Sequence, residues 1–287
     1  MSKGTENINS GNFKEWNEIW KLGENEFSEE NFLFTRGAAK NLRQFWQKCY
    51  FEDLLRIVKE KNYKSFLEQG SGRGTTSMYL SNAGYKDISM LDLAPEAFNI
   101  ASQYFKYCSL PLPQFVLADV RQSGLPDESF DCIYNIGLLE HFEDPKPVLE
   151  ESYRLLKPGG AMFMVIVSGY PFSKSIVPRL IFNPISIAKY IMKKIIGSNK
   201  TVQSDMVRTA YSREYYESIM TKIGCKDIKC ISYNPYQKVY INEKLERFIS
   251  MPFYKFHYKI KRLFSKSFAL KSLPFLSFCD LLICYKK

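Results

Sequence analysis

The chain is poor in the residues that build metal centres and disulfide frameworks. Only two histidines occur in 287 residues, and the seven cysteines are scattered without a C-x-x-C pair. A histidine-based metal site and a cysteine zinc site are therefore disfavoured, and no metal ligands are assigned. The first residues, MSKGTENINSGNFKEW, lack the apolar core of a signal peptide. We therefore expect the cysteines to be buried, reduced thiols.

Long apolar runs are also missing. No uncharged stretch reaches the roughly 18 apolar residues that a membrane-spanning helix needs. Hydrophobic residues make up 45% of the chain and charged residues 24%, which is typical of a folded protein and not of a disordered one. The sequence favours a cytoplasmic location for this protein.

Negative charge is scarce in the second half of the chain. Residues 1–168 hold 18 Lys and Arg against 23 Asp and Glu, a net charge of −5, whereas residues 169–287 hold 22 against 7, a net charge of +15. Together they give the overall charge of +10. This asymmetry predicts that the second half meets an anionic substrate or an anionic surface, such as the inner face of a membrane.

Short apolar strands alternate with helices from residue 64 onward. The predicted strands are KSFLEQ, DISMLDL, PQFVLADV, FDCIYNIG, AMFMVIVS, KDIKCISYN and FCDLLICYK, with KPGG as a turn before the fifth. Such alternation indicates a mostly parallel sheet with right-handed crossovers. We predict a Rossmann-like, doubly wound α/β fold with seven strands, whose ligand lies at the carboxyl ends of the strands.

Four segments divide the chain. We predict an N-terminal helical cap over residues 1–62 and a wound core over 63–168. A basic amphipathic insertion follows over 169–211, and residues 212–287 complete the sheet around a second basic, aromatic insertion at about 237–277. The insertions are expected to form a lid over the acceptor, with apolar faces covering the site and lysines facing water. Basic amphipathic helices can alternatively lie in an anionic membrane interface.

A glycine-rich loop follows the first strand in the pattern E-x-G-x-G-x-G, formed by Glu68, Gly70, Gly72 and Gly74. A dinucleotide fingerprint would need its third glycine one residue later, and the P-loop pattern is absent. Asp92 ends the second strand, where a carboxylate can accept both ribose hydroxyls. Asp119 ends the third, where it can accept from the adenine amine. Structural turns and strand-end caps are the alternative interpretation of these residues.

These motifs resemble those of the class I S-adenosylmethionine-dependent methyltransferases. The similarity extends from about residue 65 to 167 through EQGSGRG, LDLAP, ADV, LPDESFDCIYNIGLLEHFEDP and ESYRLLKPGGAMFMVIV. It points to the branch that includes ubiquinone- and menaquinone-pathway enzymes. The resemblance implies that Gly70 and Gly72 pack beneath the methionine part of S-adenosylmethionine. It also implies further cofactor contacts from Glu68, Gly74, Asp92, Leu93, Asp119, Val120 and Asn135.

Methyl transfer from a sulfonium is an in-line displacement, and a hydroxyl acceptor also needs a general base. His141, just beyond the fourth strand, is the candidate because histidine titrates near neutrality. Its alternative role is structural pairing with Glu140 or Glu143. Amino methyltransferases that act on nucleic-acid bases carry the motif [DNS]-P-P-[YFW] at the end of this strand, whereas this chain has NIGL. A nucleic-acid partner is therefore not expected.

The sequence favours methylation at oxygen or nitrogen of a small or amphiphilic acceptor. A basic lid would suit a lipid-like or anionic acceptor. Two alternatives stay open. A nicotinamide-dependent oxidoreductase is disfavoured by Thr75 and by the absence of a Ser/Tyr-x-x-x-Lys pair. A non-catalytic membrane- or partner-binding protein on the same fold is disfavoured by the intact glycines and carboxylates.

Overall fold

The computed structural model describes residues 32–167, 209, 211–236, 244, 246–264, 268–274, 277 and 279–287. Within these residues the chain forms helices on both faces of one sheet. In chain order the elements are α1 (Leu42–Lys61), β1 (Ser65–Gln69), α2 (Thr75–Asn82), β2 (Asp87–Asp92), α3 (Pro95–Tyr107), β3 (Gln114–Leu117), β4 (Phe130–Ile136), α4 (Lys146–Leu155), β5 (Leu156–Ile166), α5 (Arg213–Ile223), β6 (Lys226–Tyr233), α6 (Met251–Phe264) and β7 (Cys279–Tyr285).

The sheet has seven strands in the order β3-β2-β1-β4-β5-β7-β6. Strands β1 to β5 pair in parallel, and β7 runs antiparallel to both β5 and β6. The order reverses between β1 and β4, which is the point where doubly wound sheets bind ligands. The predicted Rossmann-like, mostly parallel seven-stranded fold is confirmed.

The sheet separates two apolar cores, because neighbouring residues of a strand point to opposite faces. Phe66 of β1 belongs to the core that also contains residues of α1, α2, α3 and α6. Leu67 belongs to the core on the other face, with residues of α4 and α5. Every residue of β1 is buried, as expected of a central strand covered on both sides. All seven cysteines are buried thiols, as predicted.

Local capping defines the helix ends. Asn41 caps α1 by accepting from the Gln44 backbone N–H at 2.9 Å, and Asn62 ends this helix in the left-handed conformation. Ser212 caps α5 through the Tyr215 backbone N–H, and Gly224 ends that helix with φ +100°. Such caps satisfy backbone groups that the helix leaves without partners.

The KPGG segment departs from the prediction. Residues 157–160 belong to β5 instead of forming a separate turn. The pairing of β4 with β5 shifts from Phe130–Leu156 to Cys132–Ala161, so a bulge absorbs the extra residues. A Cβ on Gly160 would lie 2.9 Å from the Asp131 carbonyl oxygen, which explains a glycine at this close approach.

The two insertions are described to different extents. The first, at 169–211, lies outside the described residues apart from Thr209 and Tyr211, as do residues 1–31 of the N-terminal cap. The second contains α6, whose apolar residues were expected to cover the site. That expectation is wrong for Phe253, Phe256 and Leu263, which are exposed because Met251 and Tyr258 form the buried face of the helix. Among the described helices, none is long and apolar enough to cross a membrane.

Candidate functional site

A cleft of about 390 Å³ opens at the carboxyl ends of β1, β2 and β4 and beside the turn after β3. This is the edge of the sheet at which the sequence predicted a ligand. Eight of the ten predicted site residues line the cleft: Glu68, Gly70, Gly72, Asp92, Leu93, Asp119, Val120 and His141. The fold therefore brings together residues that lie up to 73 positions apart in the sequence, from Glu68 to His141.

The glycine loop presents bare backbone to this cleft. Gly70 has φ +57°, and a Cβ at this position would lie 2.6 Å from Leu138 Cδ1. Gly72 has φ +48°, also in the left-handed region that favours glycine. A side chain at position 70 would therefore strain the backbone and displace the opposite wall. The loop leaves space for a ligand to approach the peptide groups closely.

Asp92 joins the glycine loop to the second strand. Its carboxylate accepts from the Gly72 backbone N–H at 2.8 Å and from the Ala94 backbone N–H at 3.0 Å. The side chain is buried at the cleft wall, and this burial raises the pKa of its carboxyl. Asp92 thus caps the strand end and lines the ligand space at once, so the two interpretations of this residue are compatible.

Asp119 lies at the end of the third strand in a more exposed position. Arg121 binds both carboxylate oxygens through Nε at 3.0 and 3.1 Å and through Nη2 at 2.5 Å. Partial burial raises the pKa of Asp119, but the hydrogen bonds from Arg121 outweigh it and hold the pKa below its usual value. The carboxylate stays ionised, and a ligand amine would share it with Arg121.

The Glu68 carboxylate is hydrogen-bonded mainly to other groups of the protein. Its Oε2 accepts from the Ser77 hydroxyl at 2.5 Å and from the Ser77 backbone N–H at 3.1 Å. The Ser77 hydroxyl also bonds the Tyr134 hydroxyl at 2.7 Å. This network ties β1, β4 and the start of α2 together around the glycine loop. Burial raises the pKa of Glu68 to about 7, although the hydrogen bonds from Ser77 oppose the shift.

Replacing Glu68 by glutamine should flatten the dependence of stability on pH. In the wild type the folded protein keeps a proton that the unfolded chain releases near pH 4.5, so the free energy of unfolding falls as pH rises towards about 7. Glutamine retains an acceptor oxygen for Ser77 and carries no charge. Chemical denaturation at about pH 5 and about pH 8 should show the wild type losing about 2–3 kcal/mol more than the variant.

The exposed Glu150, which pairs with Lys146 on α4, provides the matched control. Its glutamine variant should keep the full decline of the wild type, because a surface ion pair contributes little. An equal decline in E68Q and wild type would contradict the assignment of the raised pKa to Glu68.

Gly74 and Asn135 are the two predicted residues that do not line the cleft. Gly74 precedes α2 with φ +65°, and a Cβ there would lie 2.4 Å from Met90 Cε, so this glycine allows close packing of the helix on β2. Asn135 is fully buried on β4, and its amide nitrogen and oxygen have no hydrogen-bond partner within the described part of the chain.

His141 lies in the short 3₁₀ turn Leu139–His141 after β4. The side chain is buried against the cleft, and Nε2 is 4.0 Å from Glu140 Oε1. The backbone of this turn is held from outside, because the Thr209 N–H donates to the Glu140 carbonyl at 2.7 Å. The imidazole therefore both lines the ligand space and lies beside a carboxylate.

Several cleft residues were not predicted. Gln47 comes from α1, and Ser71 and Arg73 lie between the glycines. Gln47 Oε1 and Ser71 Oγ are buried without a hydrogen-bond partner among the described residues. The position of Ser71 inside the motif could have indicated it, whereas the sequence carries no signal of which face of α1 meets the cleft.

The donor and acceptor set of the cleft fits a nucleoside with a zwitterionic tail. Carboxylates at two neighbouring strand ends suit hydroxyl and amine donors. The peptide groups of the glycine loop and the unpartnered Ser71 Oγ and Gln47 Oε1 suit the polar groups of the tail. Leu93 and Val120 supply apolar walls on which a flat ring can lie.

A protein-family model described as a methyltransferase domain matches residues 67–164. This match begins within β1, ends within β5 and contains every predicted site residue. It is the part of the chain in which the motifs were found.

Curated proteins agree with the domain match. A ubiquinone biosynthesis O-methyltransferase of Xanthomonas oryzae pv. oryzae is 30% identical over 105 residues, which are 37% of this chain and 44% of that protein. The chain thus matches less than half the length of this relative. One of Pseudomonas fluorescens is 27% identical over 179 residues, covering 62% of this chain and 72% of that protein.

Among solved structures, one from Thermotoga maritima is described as an SAM-dependent methyltransferase and possible histamine N-methyltransferase. It superimposes with a TM-score of 0.52 at 18% identity, covering 85% of this chain and 90% of that one. This likeness concerns the fold.

Proposed function

We propose that the chain is a class I, S-adenosylmethionine-dependent methyltransferase, as its motifs predict, and that it transfers a methyl group to oxygen or nitrogen of a small or amphiphilic acceptor. One observation carries the proposal. Inside the matched domain, a bare glycine loop lies beside carboxylates at two neighbouring strand ends, in a single cleft.

S-adenosylmethionine, when bound, supplies an electrophilic methyl group on a sulfonium. In our proposal Asp92 accepts the ribose hydroxyls while Leu93 packs beside them. Asp119 and the Val120 N–H contact adenine. Gly70, Gly72 and Ser71 receive the amino-acid tail, with Glu68 and Gly74 supporting the loop from behind. The buried Asn135 contributes to the methionine side through packing.

The remaining work of the chain is to position the acceptor and exclude water. For a hydroxyl acceptor, the His141 imidazole takes the proton as the oxygen attacks, and Glu140 beside it stabilises the resulting imidazolium. An amine acceptor attacks with its own lone pair and needs this base less.

A lid belongs to the same proposal. Thr209, near the end of the insertion at 169–211, is bonded to the Glu140 backbone beside His141, which supports a lid over the acceptor side. Leu33 and Gln47 of the N-terminal segment also line the cleft. Apolar wall residues such as Leu138 and Phe142 suit an acceptor with an apolar part, and the two O-methyltransferase relatives favour oxygen.

Activity of the purified protein tests the proposal. The protein is incubated with methyl-labelled S-adenosylmethionine and a panel of phenols, quinols and amines, and products are detected by a mass increase of one methyl group. Calorimetry with S-adenosylmethionine and with NAD runs in parallel. Binding of NAD alone would favour the oxidoreductase, and binding of neither, with no product, would favour the non-catalytic alternative.

A further inference from the structure

Helix α6 is buried on one face and apolar on the opposite, exposed face. Met251 and Tyr258 are 2% and 7% exposed and pack into the core. Five large apolar residues are solvent-exposed on the outer side, with fractions from 38% to 82%. We refer to them as the α6 stripe: Phe253, Phe256, Ile260, Leu263 and Phe264.

Helical geometry places the α6 stripe on a single outward face. At about 100° per residue, the five side chains fall within an arc of about 100°, centred opposite Met251 and Tyr258. Phe248 and Ile249, just before α6, are also more than half exposed. Single exposed apolar residues are common on proteins, but a contiguous aromatic patch of this kind marks an interaction surface.

Polar contacts hold α6 firmly against the body of the protein. The Tyr258 hydroxyl donates to Glu52 Oε2 at 3.1 Å, and Arg262 pairs with the same carboxylate. Lys255 Nζ donates to the Ala39 carbonyl at 2.7 Å. The outward direction of the α6 stripe therefore follows from how the helix is fixed.

Cations border the α6 stripe on both sides. By the same helical geometry, Lys259 lies next to Leu263 along one edge and Lys261 lies along the other. Residues 244–264 hold six Lys and Arg against one acid, Glu246: Lys244, Arg247, Lys255, Lys259, Lys261 and Arg262. This charge belongs to the second half of the chain, with its net charge of +15.

We propose that the α6 stripe docks onto the surface of an anionic lipid bilayer. An apolar, aromatic face flanked by basic residues is an arrangement that lies in a membrane interface, with rings in the acyl boundary and cations near the lipid phosphates. The positive charge selects an anionic surface. It also opposes pairing with a second copy of this chain, which would bring like-charged helices together.

The position of α6 relates the docked surface to the cleft. Tyr258 packs on Phe45 of α1 with ring centroids 5.8 Å apart, and α1 contributes Gln47 to the cleft wall. One helix therefore separates the bilayer from the site, as suits an acceptor with a lipid-like part. The docking adds a partner to the proposed function and does not require methyl transfer.

Vesicle co-sedimentation of the full chain tests the proposal. The protein should bind vesicles of phosphatidylglycerol and phosphatidylcholine at low ionic strength and should not bind pure phosphatidylcholine. Binding should weaken as salt is added. The double variant F256S/F264S should bind at least about tenfold more weakly, because two large apolar side chains no longer enter the interface.

The matched control is L112S/L117S, which removes two apolar residues that are at least half exposed and lie in or just before β3, the edge strand opposite β6. This control should bind vesicles like the wild type. Circular dichroism and calorimetry with S-adenosylmethionine, both without lipid, verify that each variant is folded and test the proposed function separately.

Three results would overturn the docking proposal. They are no binding of wild type to anionic vesicles, equal binding of F256S/F264S and wild type, and a wild-type dimer that F256S/F264S converts to a monomer without any vesicle binding. The last result would identify the α6 stripe as an interface between copies of the chain.

Discussion

Replacing Asp92 by alanine should abolish measurable binding of S-adenosylmethionine, with Kd raised at least about 100-fold. Two hydrogen bonds from ribose hydroxyls to a carboxylate contribute about 3 kcal/mol or more together, which is about 100-fold in affinity. The variant also loses the acceptor for the Gly72 N–H, so the glycine loop loses its anchor to β2. Isothermal titration calorimetry measures the effect directly.

Asp87 offers a control on the same strand. It is the exposed first residue of β2, at the end of the strand away from the cleft. Asp87→Ala should bind S-adenosylmethionine like the wild type. A Kd for Asp92→Ala within about threefold of the wild type would show that the ribose is not bound by this carboxylate.

Replacing His141 by alanine should lower kcat for a phenolic acceptor by about 10²- to 10⁴-fold, the usual contribution of a positioned general base. The affinity for S-adenosylmethionine should change little, since the imidazole acts on the acceptor. The dependence of kcat/KM on pH should lose the limb that the general base contributes. Steady-state kinetics across pH, together with calorimetry, separates loss of the base from loss of cofactor binding.

His257 is the second of the two histidines and serves as the control. It lies on α6 and does not line the cleft. Its Nδ1 is hydrogen-bonded to the Tyr236 hydroxyl at 2.9 Å. His257→Gln should retain the wild-type pH profile. If His141→Ala keeps kcat within about threefold of the wild type, the histidine has the structural role beside Glu140.

Local sequence motifs predicted the glycine loop and the residues at the carboxyl ends of the strands. Strand-end carboxylates such as Asp92 are defined by the strand pattern before them, and parallel strands bring their carboxyl ends to one edge. The glycine loop was also predicted, because its conformation depends mainly on its own residues. The close approach at Gly70 even explains why glycine is needed there.

What depends on the packing of distant elements could not be predicted. Gly74 belongs to the motif but packs on Met90, a contact set by how α2 sits on β2. Gln47 enters the cleft from a helix whose rotation no local pattern defines. The amphipathic pattern of α6 indicated an apolar face, and only the contacts of Tyr258 and Glu52 determine that this face points outward.

A crystal structure with bound S-adenosylhomocysteine is the most direct test of the central claim that the cleft holds an adenosyl cofactor. Our account predicts the ribose diol on Asp92, adenine beside Asp119 and Val120, and the amino-acid tail on the Gly70–Gly72 peptides. Ligand bound outside this cleft, or a cleft that accepts only a diphosphate-containing nucleotide, would contradict this claim.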